Sequence, residues 1–564
     1  MQSFLKAITL ASLASSATAW PPASSWSGWD DKNDYPYGPH RSGPGGPSSV
    51  RPYQPVQTSC PREPLVRDAD CLNPKEARYI ERRKEKADRA LEAWLNKLGD
   101  FNNDDQPTIA FASSGGGLRA FLEAAGVVQS FDGRDGDQGT NGLYQAISYQ
   151  SGISGGSWFV STLAGNNWPT ITDLKKNLWD TTLQELLPAD NASSQASPLY
   201  PGIVADVVAK QKAGYTTSIV DPFGRYVAAG ILFPENVDIL LSSIPGLSNF
   251  TSYNAPFPLF TSVGTEAASG QCFPSITNPQ YEFNPYEFGS WDSGVQAFTP
   301  VKYLGTNVTA GRPTVDNKCT IRYDNLGFTF SASANVWPKF YCFTTFEETP
   351  VPLAEGLEQV VLQAHPEHQA TDIFALYANP FHGNPASTFV QNDTELYLVD
   401  GGFWGSDIPI WPFIQKTRNV DVIIAADISE DTSDSLPNGL EMRLIYDRAQ
   451  QVGLTKMPFI PTADVYIAQG LNKRATFFGC NQTDTSFIIY LPNVEYTFPS
   501  NQSSLRVSYT PADTDGMIAN GVLIGTQNND PAWPFCLACG IKNKDGNDLP
   551  DGCDACFAKY CYYQ

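Results

Sequence analysis

The run Gly152-Ile153-Ser154-Gly155-Gly156 fits G-x-S-x-G. Glycines on both sides of the serine relieve crowding at a tight strand-to-helix turn that lifts the hydroxyl clear of a sheet. A strand-like run precedes it and the helical stretch WFVSTLA follows, which is the context a nucleophile elbow needs. Ser154 is the candidate nucleophile, while Ser151 and Ser157 read as turn and helix-cap residues. A second motif, Ser113-Ser114-Gly115-Gly116-Gly117-Leu118-Arg119-Ala120, stands between a strand and the helical pattern FLEAAGVVQSF. Three glycines let a backbone approach a ligand closely, and N–H groups at the positive start of a helix can hold a developing oxyanion.

A serine needs a base. The chain holds four histidines. His40 lies in a Pro/Gly/Ser-rich arm, and His365, His368 and His382 all precede the best acidic candidate, against the order Ser, acid, His of an α/β-hydrolase triad. A Ser–Asp dyad fits better. Its carboxylate is Asp400, which ends the strand-like LYLV and begins Asp400-Gly401-Gly402. Burial raises the pKa of such a group and brings it nearer a working pH.

These residues need a scaffold. Thr108–Ala112, Tyr144–Tyr149 and Leu396–Val399 are apolar, strand-like and each run into a glycine-bearing motif, an α/β signature. Residues 420–426 (VDVIIAA) read as another buried parallel strand. Asn73-Pro74 opens a long amphipathic helix with Ile80, Ala87, Leu91, Trp94 and Leu98 on one face and Arg78, Arg82, Arg83, Lys84 and Lys86 on the solvated remainder. The stretch from 165 to 390, rich in aromatics and prolines, reads as lid-like insertions over one end of the sheet. The expected fold is α/β, with a mainly parallel central sheet flanked by helices.

Composition narrows the partners. The 564 residues are 41% hydrophobic, enough for a large core, and 37 Lys and Arg stand against 59 Asp and Glu, a net charge of −22. Such a field repels nucleic acid and strongly anionic bilayers and leaves zwitterionic or neutral substrates open. Lys6, an apolar run and Ala17-Thr18-Ala19 predict a secretory signal over residues 1–19. Residues 20–58, dominated by Pro, Gly, Ser and aromatics, read as a disordered extension. Sequons at Asn191, Asn249, Asn307, Asn392, Asn481 and Asn501 agree with secretion to the extracellular space as a glycoprotein. No apolar run after the signal is long enough to span a bilayer, and residues 557–564 carry no hydrophobic anchor tail. The 11 cysteines read as disulfides in an oxidising compartment, with one thiol left over. Cys536, Cys539, Cys553, Cys556 and Cys561 resemble a zinc site in spacing, but the fifth cysteine and the compartment favour disulfides.

Together SGGGLRA, GISGGSW and LVDGG resemble the fungal lysophospholipase and phospholipase B family, related to cytosolic phospholipases that use a Ser–Asp dyad. NPYEFGSWD at 284–292, FTPVKYLGT at 298–306, LNKRATFFGC at 471–480 and the cysteine-rich end carry the resemblance too. It covers nearly everything after residue 58, so that 59–564 is expected to be one catalytic domain of patatin and cytosolic-phospholipase type. It implies Ser154 as nucleophile, Asp400 as its activating carboxylate, Gly116 and Gly117 as oxyanion donors, Arg119 facing the substrate phosphate, and disulfides at the C-terminal end. Leu118 stands where the family commonly has an aromatic, and Phe403-Trp404-Gly405-Ser406-Asp407 replaces an acidic, polar stretch.

The reaction expected is hydrolysis of acyl esters of lysophospholipids, and of diacyl phospholipids, through an acyl-Ser154 intermediate. The partners are the lipid substrate and the micelle or lipid surface that presents it. No metal, organic cofactor, nucleic acid or protein partner is implied. The alternatives are a neutral-ester lipase on the same dyad and a catalytically inactive secreted binding protein.

Overall fold

A computed structural model of the chain describes residues 50–563 apart from 268–272, 343–350, 365, 367–371 and 404. The signal segment, His40, His365, His368, Cys272 and Trp404 lie outside the described residues, as do the side chains of Cys342 and Phe403.

One sheet organises the fold. Its strands are Arg67–Asp68 (β1), Ile109–Ser113 (β2), Ile147–Gly152 (β3), Phe257–Thr265 (β4), Gln280–Phe283 (β5), Glu287–Ser290 (β6), Ala297–Pro300 (β7), Ala375–Ala378 (β8), Glu395–Val399 (β9), Val422–Asp427 (β10), Thr476–Phe478 (β11) and Phe487–Pro492 (β12). The order across it is β11-β12-β10-β2-β3-β4-β5-β6-β7-β1. The centre is parallel, as expected: β12, β10, β2, β3 and β4 pair in one direction. Every residue of β2, β3, β10 and β12 is buried, which is why these strands read as unbroken apolar runs rather than alternating ones.

The flanks are antiparallel. From β4 the sheet continues through β5, β6 and β7. The last three residues of β4 also pair with β9, which in turn pairs with β8. The 165–390 region therefore supplies strands of the sheet itself, β4 to β8, as well as helices. β9 carries Asp400 at its end, but it runs antiparallel and is followed by a 3-10 turn, Gly401–Phe403, in place of the strand-to-helix unit that its pattern predicts.

The helix opened by Asn73 spans Pro74–Leu95 (α1), with the Asn73 side chain accepting a hydrogen bond from the Lys75 N–H. Its buried face differs from the expected one. Arg83, assigned to the solvated side, is 2% exposed, and its guanidinium donates to the carbonyls of Gln145, Ile147 and Tyr253. Three carbonyls satisfy a charge that burial alone would make costly. Gly117–Phe131 (α2) follows β2, and Gly155–Gly165 (α3) follows β3. Leu326–Ser333 (α4) and Pro511–Gly525 (α5) complete the surroundings of the site. α2 and α5 meet almost backbone to backbone, since a Cβ on Gly126 would lie 2.7 Å from the Gly521 Cα.

Of the stretch 20–58 expected to be a disordered extension, residues 20–49 lie outside the described residues, and residues 50–58 are ordered. Val56–Thr58 pairs with Cys319–Ile321, and Tyr53 is buried with its hydroxyl donating to Asp221 at 2.6 Å. Bridges join Cys60 to Cys319, Cys480 to Cys561, Cys536 to Cys556 and Cys539 to Cys553. The last two tie Trp533–Ile541 (α6) to Cys553–Tyr560 (α7), so the C-terminal cluster is a pair of stapled helices. Among the described residues the free thiol is the exposed Cys71, and no group of ligands is arranged for a metal. No described helix is long and apolar enough to cross a membrane.

Candidate active site

Ser154 sits where the C-terminal end of β3 turns into α3. Its φ of 51° and ψ of −127° are a strained combination for a residue with a side chain, of the kind retained where geometry serves function. The turn is tight because the two glycine motifs interlock: a Cβ on Gly155 would lie 2.0 Å from the Gly117 carbonyl oxygen. The Ser154 N–H donates to the carbonyl and hydroxyl of Ser333, each at 3.3 Å, so α4 holds the elbow from behind. The neighbouring serines are structural, but not as the turn and cap residues expected: Ser151 lies within β3 and donates its hydroxyl to the Pro409 carbonyl, and Ser157 lies within the first turn of α3 and donates to the Ser154 carbonyl, both at 2.6 Å.

Asp400 comes to the same point from the end of β9. Its carboxylate accepts a hydrogen bond from the Gly402 N–H at 2.9 Å, and the Ser154 side chain is near enough to favour its ionised form. Its own N–H donates to the Asn335 carbonyl at 3.1 Å. Asn335, fully buried, spends its side-chain amide on the carbonyls of Ile373 and Leu398, and the Ser262 hydroxyl holds the Val399 carbonyl at 2.8 Å. Asn335, Ser333 and Ser262 are positioning residues that the sequence reading missed. They stand outside any glycine motif, and only the long-range pairing of α4 and β4 with β9 brings them to the dyad.

Burial pushes the Asp400 carboxyl up to about 6, while the Ser154 side chain, the hydrogen bond from Gly402 and the charge of Lys339 pull the other way. A base must be ionised to accept a proton. Activity on an ester is therefore expected to rise with pH through about 6 and to lie roughly a hundredfold below its plateau at pH 4. A pH series of kcat/KM checks this, and a rate independent of pH between 4 and 7 would exclude Asp400 as the base. Of the histidines, only His382 is described; its ring faces the Asp393 carbonyl at 3.1 Å and no dyad atom.

Gly116 and Gly117 have φ values of 126° and 68°, open to glycine and unfavourable to other residues. They begin α2 with their N–H groups at its positive end. Among the described residues neither N–H donates a hydrogen bond, whereas the Gly115 N–H donates to the Asp407 carbonyl at 2.9 Å. Two free donors thus stand beside the serine. Ser504 closes over them, its carbonyl oxygen 2.0 Å from where a Cβ on Gly117 would be. Ser154 is 8% exposed and Asp400 3%, so in this conformation the site is nearly shut.

Arg119 lies one turn into α2 and is fully buried. Rather than facing open space for a phosphate, its guanidinium donates to the carbonyls of Ile428, at 2.6 Å, and Ser435. Its Nε has no partner among the described residues. Burial lowers its pKa, and Glu430 is the strongest of the nearby negative groups that oppose this. The residue ties the segment after β10 to the glycine loop.

The expected glycosylation sites differ in access. Asn307, Asn392 and Asn481 are exposed; Asn191, Asn249 and Asn501 are partly covered, and the Asn249 amide already donates to the Asn167 carbonyl at 2.7 Å.

Residues 109–564 match the model of the lysophospholipase catalytic domain. Over 561 residues the chain is 34% identical to lysophospholipase 3 of Saccharomyces cerevisiae, covering 90% of this chain and 81% of that one. A lysophospholipase of Kluyveromyces lactis is 34% identical over 548 residues, 88% of this chain and 84% of its own. Among solved structures the human GIVD cytosolic phospholipase A2 superposes with a TM-score of 0.65 at 17% identity, over 87% of this chain and 72% of that chain, a likeness of fold. The matched region opens at β2 and so takes in the glycine loop, the elbow and the Asp-Gly-Gly turn: the chain belongs to the lysophospholipase family.

Proposed function

We propose that the protein hydrolyses fatty-acyl esters of lysophospholipids, and of diacyl phospholipids, through an acyl-Ser154 intermediate, and does so as a secreted glycoprotein. The observation that carries the chemistry is the meeting of the strained Ser154 with the buried Asp400, whose ionised form the Ser154 side chain favours, set beside the two free amides of Gly116 and Gly117. The Ser154 hydroxyl oxygen attacks the ester carbonyl and its proton passes to Asp400. The carbonyl oxygen, now negative, is held by the Gly116 and Gly117 N–H groups. Collapse breaks the bond to the glycerol oxygen, which takes the proton from Asp400. Water, deprotonated by Asp400, then attacks the acyl carbonyl, and the fatty acid leaves as Ser154 Oγ takes the proton back from Asp400.

Secretion is supported by the signal-like residues 1–19 and by four disulfides among the described residues, since such bridges persist in oxidising compartments. A phosphate-binding role for Arg119 requires the Ser435 carbonyl to release the guanidinium, whose bare Nε is a reason to expect exchange. The commitment of Arg119 to two carbonyls favours a second reading, a neutral-ester lipase on the same dyad. Fatty-acid release from lysophosphatidylcholine micelles and from a neutral monoacylglycerol separates them. Preference for the phospholipid, weakened by Arg119→Lys, is expected. Equal rates on both, unmoved by that substitution, would instead establish the neutral-ester reading.

A further inference from the structure

Asp407 is a buried carboxyl beside the dyad to which the mechanism above assigns nothing. It follows Asp400 on the segment that leaves β9. Its backbone is fixed at both ends of the peptide: the N–H donates to Glu441 Oε2 at 3.0 Å and the carbonyl accepts from Gly115 at 2.9 Å. One carboxyl oxygen, Oδ1, lies over two of the site's glycines. It is 1.9 Å from where a Cβ on Gly115 would stand, a point only 2.9 Å from the Ser154 Cβ. It is also 2.9 Å from where a Cβ on Gly402 would stand, a point 3.4 Å from Asp400 Oδ1. The absence of side chains at Gly115 and Gly402 thus makes room for Asp407 against both the nucleophile and the base. None of the hydrogen bonds among the described residues reaches its carboxyl oxygens, and the residue keeps 8% exposure.

Two carboxyls in one small space do not both ionise readily. The Gly402 N–H supports a negative charge on Asp400 and the Ser154 side chain favours it too; among the described residues no hydrogen bond supports one on Asp407. Burial pushes Asp407 well above the usual carboxylate range, and Asp400, Asp427 and Asp431 push the same way, with Arg119 opposing. Glu441, which accepts from the Asp407 N–H, is itself pushed up by burial and by Asp407. The charge therefore rests on Asp400 and the proton on Asp407.

We propose that Asp407 is a third catalytic side chain, a carboxylic acid that keeps its proton and donates a hydrogen bond to the substrate oxygen that gains charge as Ser154 attacks. The inference rests on the Ser154–Asp400 reading. The acid supplements the Gly116 and Gly117 amides and exchanges no proton: the serine proton still travels through Asp400 to the leaving alcohol. Ionisation of Asp407 at higher pH removes the donor and adds a charge where the oxyanion forms, so it produces the alkaline fall of the rate.

The test uses the full-length protein with Asp407→Asn and Asp407→Ala, measuring kcat and KM on lysophosphatidylcholine across pH 4–9, the rate of Ser154 phosphonylation by a fluorophosphonate, and the melting temperature. Asp407→Asn keeps an N–H donor and cannot ionise. It is expected to hold kcat within about tenfold and to lose the alkaline fall. Asp407→Ala is expected to lower kcat and the phosphonylation rate on the order of a hundredfold, with KM little changed. The proposal is overturned if the asparagine variant is as impaired as the alanine variant, if its alkaline fall persists, or if the alanine variant keeps the wild-type kcat. Should Asp407→Ala not fold, the pH profile of Asp407→Asn decides alone. A wild type that releases no fatty acid but is phosphonylated refutes the lysophospholipid substrate, leaving the phosphonylation rates to judge Asp407. A wild type that is not phosphonylated overturns both.

Discussion

Ser154→Ala is expected to lower kcat on lysophosphatidylcholine by about 10⁴-fold or more, and Asp400→Ala to cost nearly as much. The two groups share one proton transfer, so either alone is idle. A serine without its base is a weak nucleophile at neutral pH, and a base without its serine has nothing to activate. The double variant is accordingly expected to be little worse than either single one. Asp400→Asn is the sharper probe, because it keeps the shape and the hydrogen bond from Gly402 while removing the lone pair that takes the proton. Rates measured beside melting curves separate lost chemistry from lost structure; an Asp400→Asn variant with half the wild-type rate would remove the aspartate from the mechanism.

Arg418→Ala is expected to destabilise the fold by about 3–5 kcal/mol, the usual cost of leaving buried charges without their partner. Arg418 is fully buried between Glu76 on α1 and Glu282 on β5. It donates from Nε to Glu76 at 2.8 Å and from a terminal nitrogen to Glu282 at 2.7 Å. Tyr149 on β3 also donates to Glu76, and Trp291 to Glu282. One guanidinium thus locks α1 to the antiparallel half of the sheet and to a parallel strand two positions from β10. Without it two carboxylates face each other in a dry interior, where each favours its protonated form. Part of the lost stability is therefore expected to return in mild acid, as protonation removes the charge. Chemical denaturation at pH 5 and pH 8 measures both effects, and a loss below about 1 kcal/mol at pH 8 would mean that the carboxyls find other partners.

The parts of the site that were legible in the chain are those written in consecutive residues. An elbow needs small neighbours on both sides of its serine, and an oxyanion loop needs glycines at a helix start, so SGGGLRA and GISGGSW declare themselves. Parallel strands buried on both faces show as short apolar runs, which is why β2, β3 and β10 fall within a few residues of their expected bounds. What was illegible depends on distant partners. Arg83 reads as a surface cation and Arg119 as a phosphate ligand until carbonyls from other segments are seen to surround them. Asn335 and Ser333 carry no local signal, because their work is done across α4. The antiparallel half of the sheet is hidden among aromatics and prolines whose spacing also suits insertions. Residues 50–58 read as flexible by composition, yet a strand pairing with 319–321 and a bridge at Cys60 order their end.

The bridge between Cys480 and Cys561 guards the sheet as well as the C-terminus. β11 is the outermost strand on its side, and an outermost strand offers unpaired backbone groups to any extended chain that passes. Here the segment after α7 lies along it: Phe477 pairs with Cys561, and the Tyr562 N–H donates to the Phe477 carbonyl at 2.9 Å. The disulfide holds that strip in place as a selvedge holds cloth. Solubility is thereby linked to redox state, because a reducing environment would let the strip lift and leave the strand's ladder open to self-association.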